Sequence, residues 1–79
     1  ETVTRGQVAT FLYRAASAAK PNTFNPFTDV KPTAYNYGAI LWAYDNRITT
    51  GTSTTTFSPD AFCTRAQIVT FLYRYYQGR

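Results

Sequence analysis

"TRGQVATFLYR" at residues 4–14 returns as "TRAQIVTFLYR" at residues 64–74, and this doubled stretch decides the fold. Of the eleven aligned pairs eight are identical, and the rest are Gly6/Ala66, Val8/Ile68 and Ala9/Val69. Each copy carries Gln three residues after its Thr, which is the pattern of a capping box: the Thr hydroxyl accepts from an orphan amide of the first turn, and Gln reaches back to the Thr amide. Val3 and Cys63 precede the two Thr residues, while Val8 and Ile68 follow four positions later, the pairing of a hydrophobic staple. Apolar residues then recur at helical spacing, as Val8, Phe11, Leu12 and Ala15 and as Ile68, Phe71, Leu72 and Tyr75. Two amphipathic helices are predicted, over 4–17 and 64–76. On this reading Cys63 is a small packing residue; an intermolecular disulfide is the alternative.

Between them, "TAYNYGAILWAYDN" at 33–46 carries Tyr37, Ile40, Leu41 and Tyr44 at the same period, and Thr33 stands as its cap just after Lys31-Pro32. A third helix is predicted there. At its end Asn46 can take a left-handed conformation, whereas Arg47 would do so only with strain. The connector over 19–32 holds three prolines and reads as extended chain pinned by Phe24 and Phe27. The fifteen residues at 48–62 form a loop rich in Thr and Ser around Gly51, anchored by Phe57. A loop of that length is either a place where binding happens or simply flexible.

Seventy-nine residues make one small domain with a thin core. Seven Tyr, six Phe and one Trp thicken it, since each such ring can bury ~150–250 Å². Eight Lys and Arg against four Asp and Glu give a net charge of +4, which favours acidic partners without choosing among them. With no His and one Cys, zinc binding by the usual ligands is not expected, and no cofactor is. No apolar run approaches the length of a membrane span, so no membrane insertion is expected. The chain starts at Glu1 without Met and is expected to be a segment of something longer. Catalysis is not expected: there is no His to activate Cys63, and the four acids are isolated. A basic helical nucleic-acid-binding domain is an alternative class, but the basic residues are scattered rather than gathered on one helix. A protein-interaction or self-association module is another.

"FTDV" at 27–30, "AILWAYDNRITTGTSTTTFSPDAFCTRAQIVTFLYR" at 39–74 and the earlier "TRGQVATFLYR" together resemble the S-layer homology (SLH) module of bacterial cell-surface proteins. The resemblance implies an all-α fold, a small bundle of about three main helices with long irregular loops, excised from a tandem array. Residues 1–20 then hold the closing helix of a preceding repeat, and residues 21–79 one complete repeat, packed as a single small domain. It further implies a secreted module at the bacterial cell surface that anchors its parent, without catalysis, by binding anionic secondary cell-wall polysaccharide in a groove between repeats. In better-known members that polymer is pyruvylated. Neighbouring repeats are the other implied partners, and an isolated segment is expected to form a homodimer through the face meant for the next repeat. The chain departs from the usual pattern at Gln7 and Gln67, where Glu is common, at Tyr35 in place of Trp, and at Arg47 in place of Gly.

Arg5 and Arg65 sit in first turns whose amides and macrodipole favour an anion, and a guanidinium fork suits a carboxylate. The resemblance makes the motif's Arg a ligand contact; pairing with Asp29 or Asp60 is the plain alternative. Arg5 is expected to face a groove completed by the loop around residues 51–53, and its replacement by Ala to change stability little. Asp29 either orients an Arg, accepts sugar hydroxyls or merely stabilises a turn. Trp42 either stacks on a sugar or belongs to the core. Gly51, Thr52 and Ser53 can offer amides and hydroxyls to a carboxylate.

Overall fold

The computed structural model describes residues 2–19, 21 and 24–77. Three helices, α1 (Arg5–Ala16), α2 (Tyr37–Asp45) and α3 (Arg65–Gln77), are joined by long irregular segments. Among the described residues the extended pairing is limited to one isolated antiparallel bridge, Thr4 with Phe62. The fold is all-α, as the doubled stretch implies.

Both capping boxes are formed. Gln7 N–H donates to Thr4 Oγ1 at 3.1 Å and Thr4 N–H to Gln7 Oε1 at 2.8 Å; Gln67 and Thr64 repeat the pair at 3.1 and 2.8 Å. The surroundings of the two helices nevertheless differ. α1 packs mainly on α2 and only lightly on α3, burying Arg5, Gly6, Val8, Ala9 and Leu12. Val8, Ala9 and Leu12 belong to the core, with Ala16 packed against it. Phe11, expected inside, is turned out and 68% exposed. α3 buries Phe71 and Tyr75, with Ile68 and Leu72 at the margin of the core.

α2 begins at Tyr37 rather than near Thr33. Two turns precede it, closed by Ala34 N–H to Lys31 O at 3.0 Å and Tyr37 N–H to Ala34 O at 3.1 Å. They deliver Asn36, 6% exposed, beneath the start of α1. There a Cβ on Gly6 would collide with Asn36 Nδ2 and lie 3.0 Å from Pro59 O, so only glycine permits the approach. α2 buries Ala39, Ile40, Leu41, Trp42 and Ala43, apolar on all sides. Trp42 is a core residue, its ring 5.6 Å from that of Tyr13 and 6.1 Å from that of Tyr75. At the end of α2, Asn46 keeps φ −93° and Arg47 takes the left-handed conformation at φ 61°. Ile48 N–H then closes on Ala43 O at 2.8 Å.

Phe27 and Phe57 anchor their loops in the core, 3% and 0% exposed, with centroids 5.6 Å apart. Phe24 does not: it is 84% exposed. Asn25 closes a local turn by accepting from Phe27 N–H at 2.9 Å and donating to Val30 O at 2.8 Å, which draws Phe27 inward and leaves Phe24 outside. Cys63 is a free, buried thiol, as the staple requires, and its N–H donates to Val3 O at 2.8 Å.

Candidate functional site

The start of α1 holds no spare donors. Arg5 N–H and Gly6 N–H donate to Ala61 O and Pro59 O, each at 2.9 Å, and Gln7 N–H is taken by Thr4. The first-turn amides therefore cannot hold an anion there, which corrects that part of the argument for Arg5. Placed at the start of α3, Arg65 is exposed. The amides of Arg65 and Ala66 have no backbone partner among the described residues.

The Arg5 side chain overturns the expectation that it contributes little to stability. It is 5% exposed. Its Nε donates to Phe57 O at 2.8 Å, and Cζ lies 4.7 Å from the Phe57 ring centroid and 5.3 Å from that of Phe71. Burial pushes the guanidinium pKa down, with Cys63 and Asp29 acting the other way; an arginine in this setting stays charged. No described residue accepts a hydrogen bond from its Nη groups. Since no fully enclosed side-chain nitrogen among the described residues lacks a partner, these donors open onto the space in front of them.

That space is a cavity of about 190 Å³. Arg5, Thr49, Thr50 and Gly51 line one side, and Gln67, Thr70, Phe71 and Arg74 of α3 the other. No acidic residue lines it. Gln67 uses Oε1 in its capping box, which leaves the amide nitrogen as a donor. Gly51 turns the loop at φ 90°, where a Cβ would come within 2.5 Å of Thr56 O and 2.6 Å of Phe27 Cε1. Only glycine fits. Thr49, 3% exposed, steadies that turn by accepting from Gly51 N–H at 3.0 Å.

Of the residues singled out from sequence, Arg5 and Gly51 meet at this cavity. Thr52 and Ser53 are not among its lining. Their hydroxyls close the loop on itself: Ser53 Oγ accepts from Thr55 and Thr56 N–H at 3.2 and 3.1 Å, and Thr52 Oγ1 pairs with Ser58 Oγ at 2.8 Å. Asp29 accepts from Phe57 N–H at 3.0 Å and Ser58 N–H at 2.8 Å, so it ties the loop down and fixes the Phe57 carbonyl that receives Arg5. Trp42 lies in the core, at the edge of a neighbouring cavity, and Arg65 does not line the Arg5 cavity. Sequence reasoning missed Arg74, Thr49, Thr50 and the helical wall. The signal was present, because Gln67, Thr70, Phe71 and Arg74 stand at i, i+3, i+4 and i+7.

What the arrangement offers is recognition: a fixed buried cation, a second exposed one, hydroxyls, an amide and one aromatic face, with no acid or base placed for proton transfer. Among the described residues no cluster of His, Cys, Asp or Glu is fit to hold a metal, and no helix is long and apolar enough to cross a membrane.

The profile of the S-layer homology domain matches residues 26–69. An endoglucanase of Bacillus sp. (strain KSM-635) is similar, with 46% identity over 56 residues. That stretch is 71% of this chain but 6% of that protein. No solved structure matches. With the family profile covering more than half of the sequence, on a helical framework whose two capping boxes are formed and whose loops are anchored by buried Phe27 and Phe57, the chain belongs to the S-layer homology domain family, a family of non-catalytic modules of cell-surface anchoring.

Proposed function

We propose that this chain holds its parent protein to the wall of a bacterial cell by binding an anionic secondary cell-wall polysaccharide in the cavity between Arg5, the loop at 49–51 and α3. The observation that carries the reading is the Arg5 guanidinium. The residue is 5% exposed, its Nε is fixed on Phe57 O, and its Nη donors are left toward a cavity that no acid lines. A fork of that kind suits a sugar carboxylate, with or without a pyruvyl group, and the arrested geometry lowers the ordering cost of binding. Arg74 adds a second positive charge, and Thr49, Thr50 and Gln67 add neutral polar groups for hydroxyls.

The test is capture of the chain on purified walls before and after the secondary polymer is stripped. Binding should require the polymer, weaken with salt and survive moderate ionic strength. Arg74→Ala, which touches an exposed side chain, should weaken capture about ten- to hundredfold, the equivalent of a charge-assisted contact of ~1.5–3 kcal/mol. Equal capture by stripped walls, or equal binding to DNA and dextran sulfate, refutes the reading.

A second partner is supported by the asymmetry of the two repeated helices. Pro59 and Ala61 carbonyls meet the start of α1, while the start of α3 has no such partner among the described residues, and Val69 and Tyr73 on α3 are 59% and 64% exposed. A neighbouring repeat, or a second copy of this chain, fits that open side. Concentration-dependent sedimentation that is abolished by Val69→Lys tests self-association.

A further inference from the structure

Two cavities share one residue. The Arg5 cavity and a second one of about 260 Å³ both have Arg74 in their walls. On the opposite side Ile48 belongs to the second cavity and Thr49 to the first, so the walls run on from one to the other along both α3 and the segment after α2. Each volume alone is below the ~300 Å³ of an ordinary small-molecule site, and the two joined exceed it. From Ala66 to Tyr75 the groove follows ten residues of α3, about 14 Å over the steps between them at ~1.5 Å each, longer than one sugar ring.

The two halves differ in chemistry. The Arg5 end is cationic and hydroxyl-rich. The far end is lined by the largely buried rings of Trp42 and Tyr75, with Ile48, Ala18 and Asn46. Asn46 is pinned there, its Nδ2 donating to Trp42 O at 2.9 Å, which leaves Oδ1 as an acceptor. An apolar aromatic floor with a fixed amide and a guanidinium at its rim suits the mixed apolar and hydroxylated faces of an uncharged sugar.

We infer that this is one continuous groove of two subsites, with the acidic sugar of the polymer at Arg5, the neutral sugar next to it at Trp42 and Tyr75, and Arg74 as the pillar between them. The inference rests on the polysaccharide reading above and adds that the chain recognises a pair of adjoining sugars rather than one charged group. Arg74 touches both units, and selectivity among anionic polymers arises at the uncharged subsite.

The sole tryptophan of the chain lines the second subsite and not the first, so its emission reports occupancy of that half alone. Wall polysaccharide is partially hydrolysed and sized, and each fraction is titrated by calorimetry and by Trp42 fluorescence. Single acidic sugars should bind without shifting the emission; fragments of two or more sugars should bind about tenfold tighter and shift it. Ala18→Tyr, which fills the second cavity from its rim, should abolish the gain and the shift while single-sugar affinity is kept. Affinity independent of fragment length in the unaltered chain, with constant Trp42 emission, overturns the two-subsite groove while leaving the wall-binding reading intact. No binding of any fragment overturns both. Since the length dependence is read on the unaltered chain, the outcome does not depend on the variant folding.

Discussion

Replacing Arg5 by Ala should destabilise the domain severely, and replacing Arg65, its counterpart in the repeat, should not. Both start a helix behind an intact capping box, so local helix chemistry predicts equal effects. Their burial predicts otherwise. Arg5→Ala strips the Phe57 carbonyl of its side-chain donor, a loss of ~1–3 kcal/mol for a buried acceptor. It also removes the cation from two aromatic faces, at ~0.5–2 kcal/mol each according to desolvation. A loss of about 2–7 kcal/mol follows, large against the ~4–12 kcal/mol expected of a chain this size. Arg65 is exposed, and Arg65→Ala should stay within ~0.5 kcal/mol of the unaltered chain. Arg5→Lys should fall between Arg5→Ala and the unaltered chain, because it keeps the charge over the rings and loses the guanidinium fork. Urea unfolding followed by Trp42 fluorescence and helical circular dichroism measures all three. Equal midpoints for Arg5→Ala and Arg65→Ala would refute the buried clamp.

Arg47 holds a left-handed conformation at φ 61°, which costs an L-residue ~1–2 kcal/mol, against ~0.5–1 kcal/mol of extra chain entropy for glycine. Arg47→Gly should therefore stabilise the domain by ~0.5–1 kcal/mol, raising the melting temperature by about 2–8 °C; an unchanged or lower melting temperature contradicts the strain. Burial raises the Cys63 thiol above its ordinary value of 9.0, with Arg5 partly opposing. The unfolded chain thus releases this proton first, so the contribution of Cys63 is complete below pH 9.0 and is lost as pH climbs from there through the raised folded value. Cys63→Ala should lessen the alkaline loss of stability measured by urea titration at several pH values, and an identical slope in both chains counts against a buried thiol.

The doubled stretch made the helices legible because capping and period are local: Thr4 with Gln7 and Thr64 with Gln67 form their boxes with no help from the rest of the fold. What it left open was decided by packing. Phe11 and Phe71 occupy one position of the repeat, yet Phe11 is 68% exposed and Phe71 4%, because Arg5 covers only the second. Thr33 looked like a cap, but the space under Gly6 fixed Asn36 and delayed the helix. At the site, Arg5 and Gly51 were readable as residues, and their shared cavity with α3 was not, since nothing in the spacing places residues 49–51 against residues 67–74. Asp29, Thr52 and Ser53 carried the right chemical groups, which the loop itself consumes.

The bond from Arg5 to Phe57 joins residues 52 positions apart, and Val3 meets Cys63 from still further along the chain. Isolated helices of this length form in about 0.1–1 μs, but α1 gains the partners that complete its first turn only after the loop has closed across most of the sequence. Rates fall as contacting residues lie further apart in the chain. Closure over these spans should slow folding relative to a bundle of local contacts, and until it occurs the aromatic faces stay open to other chains.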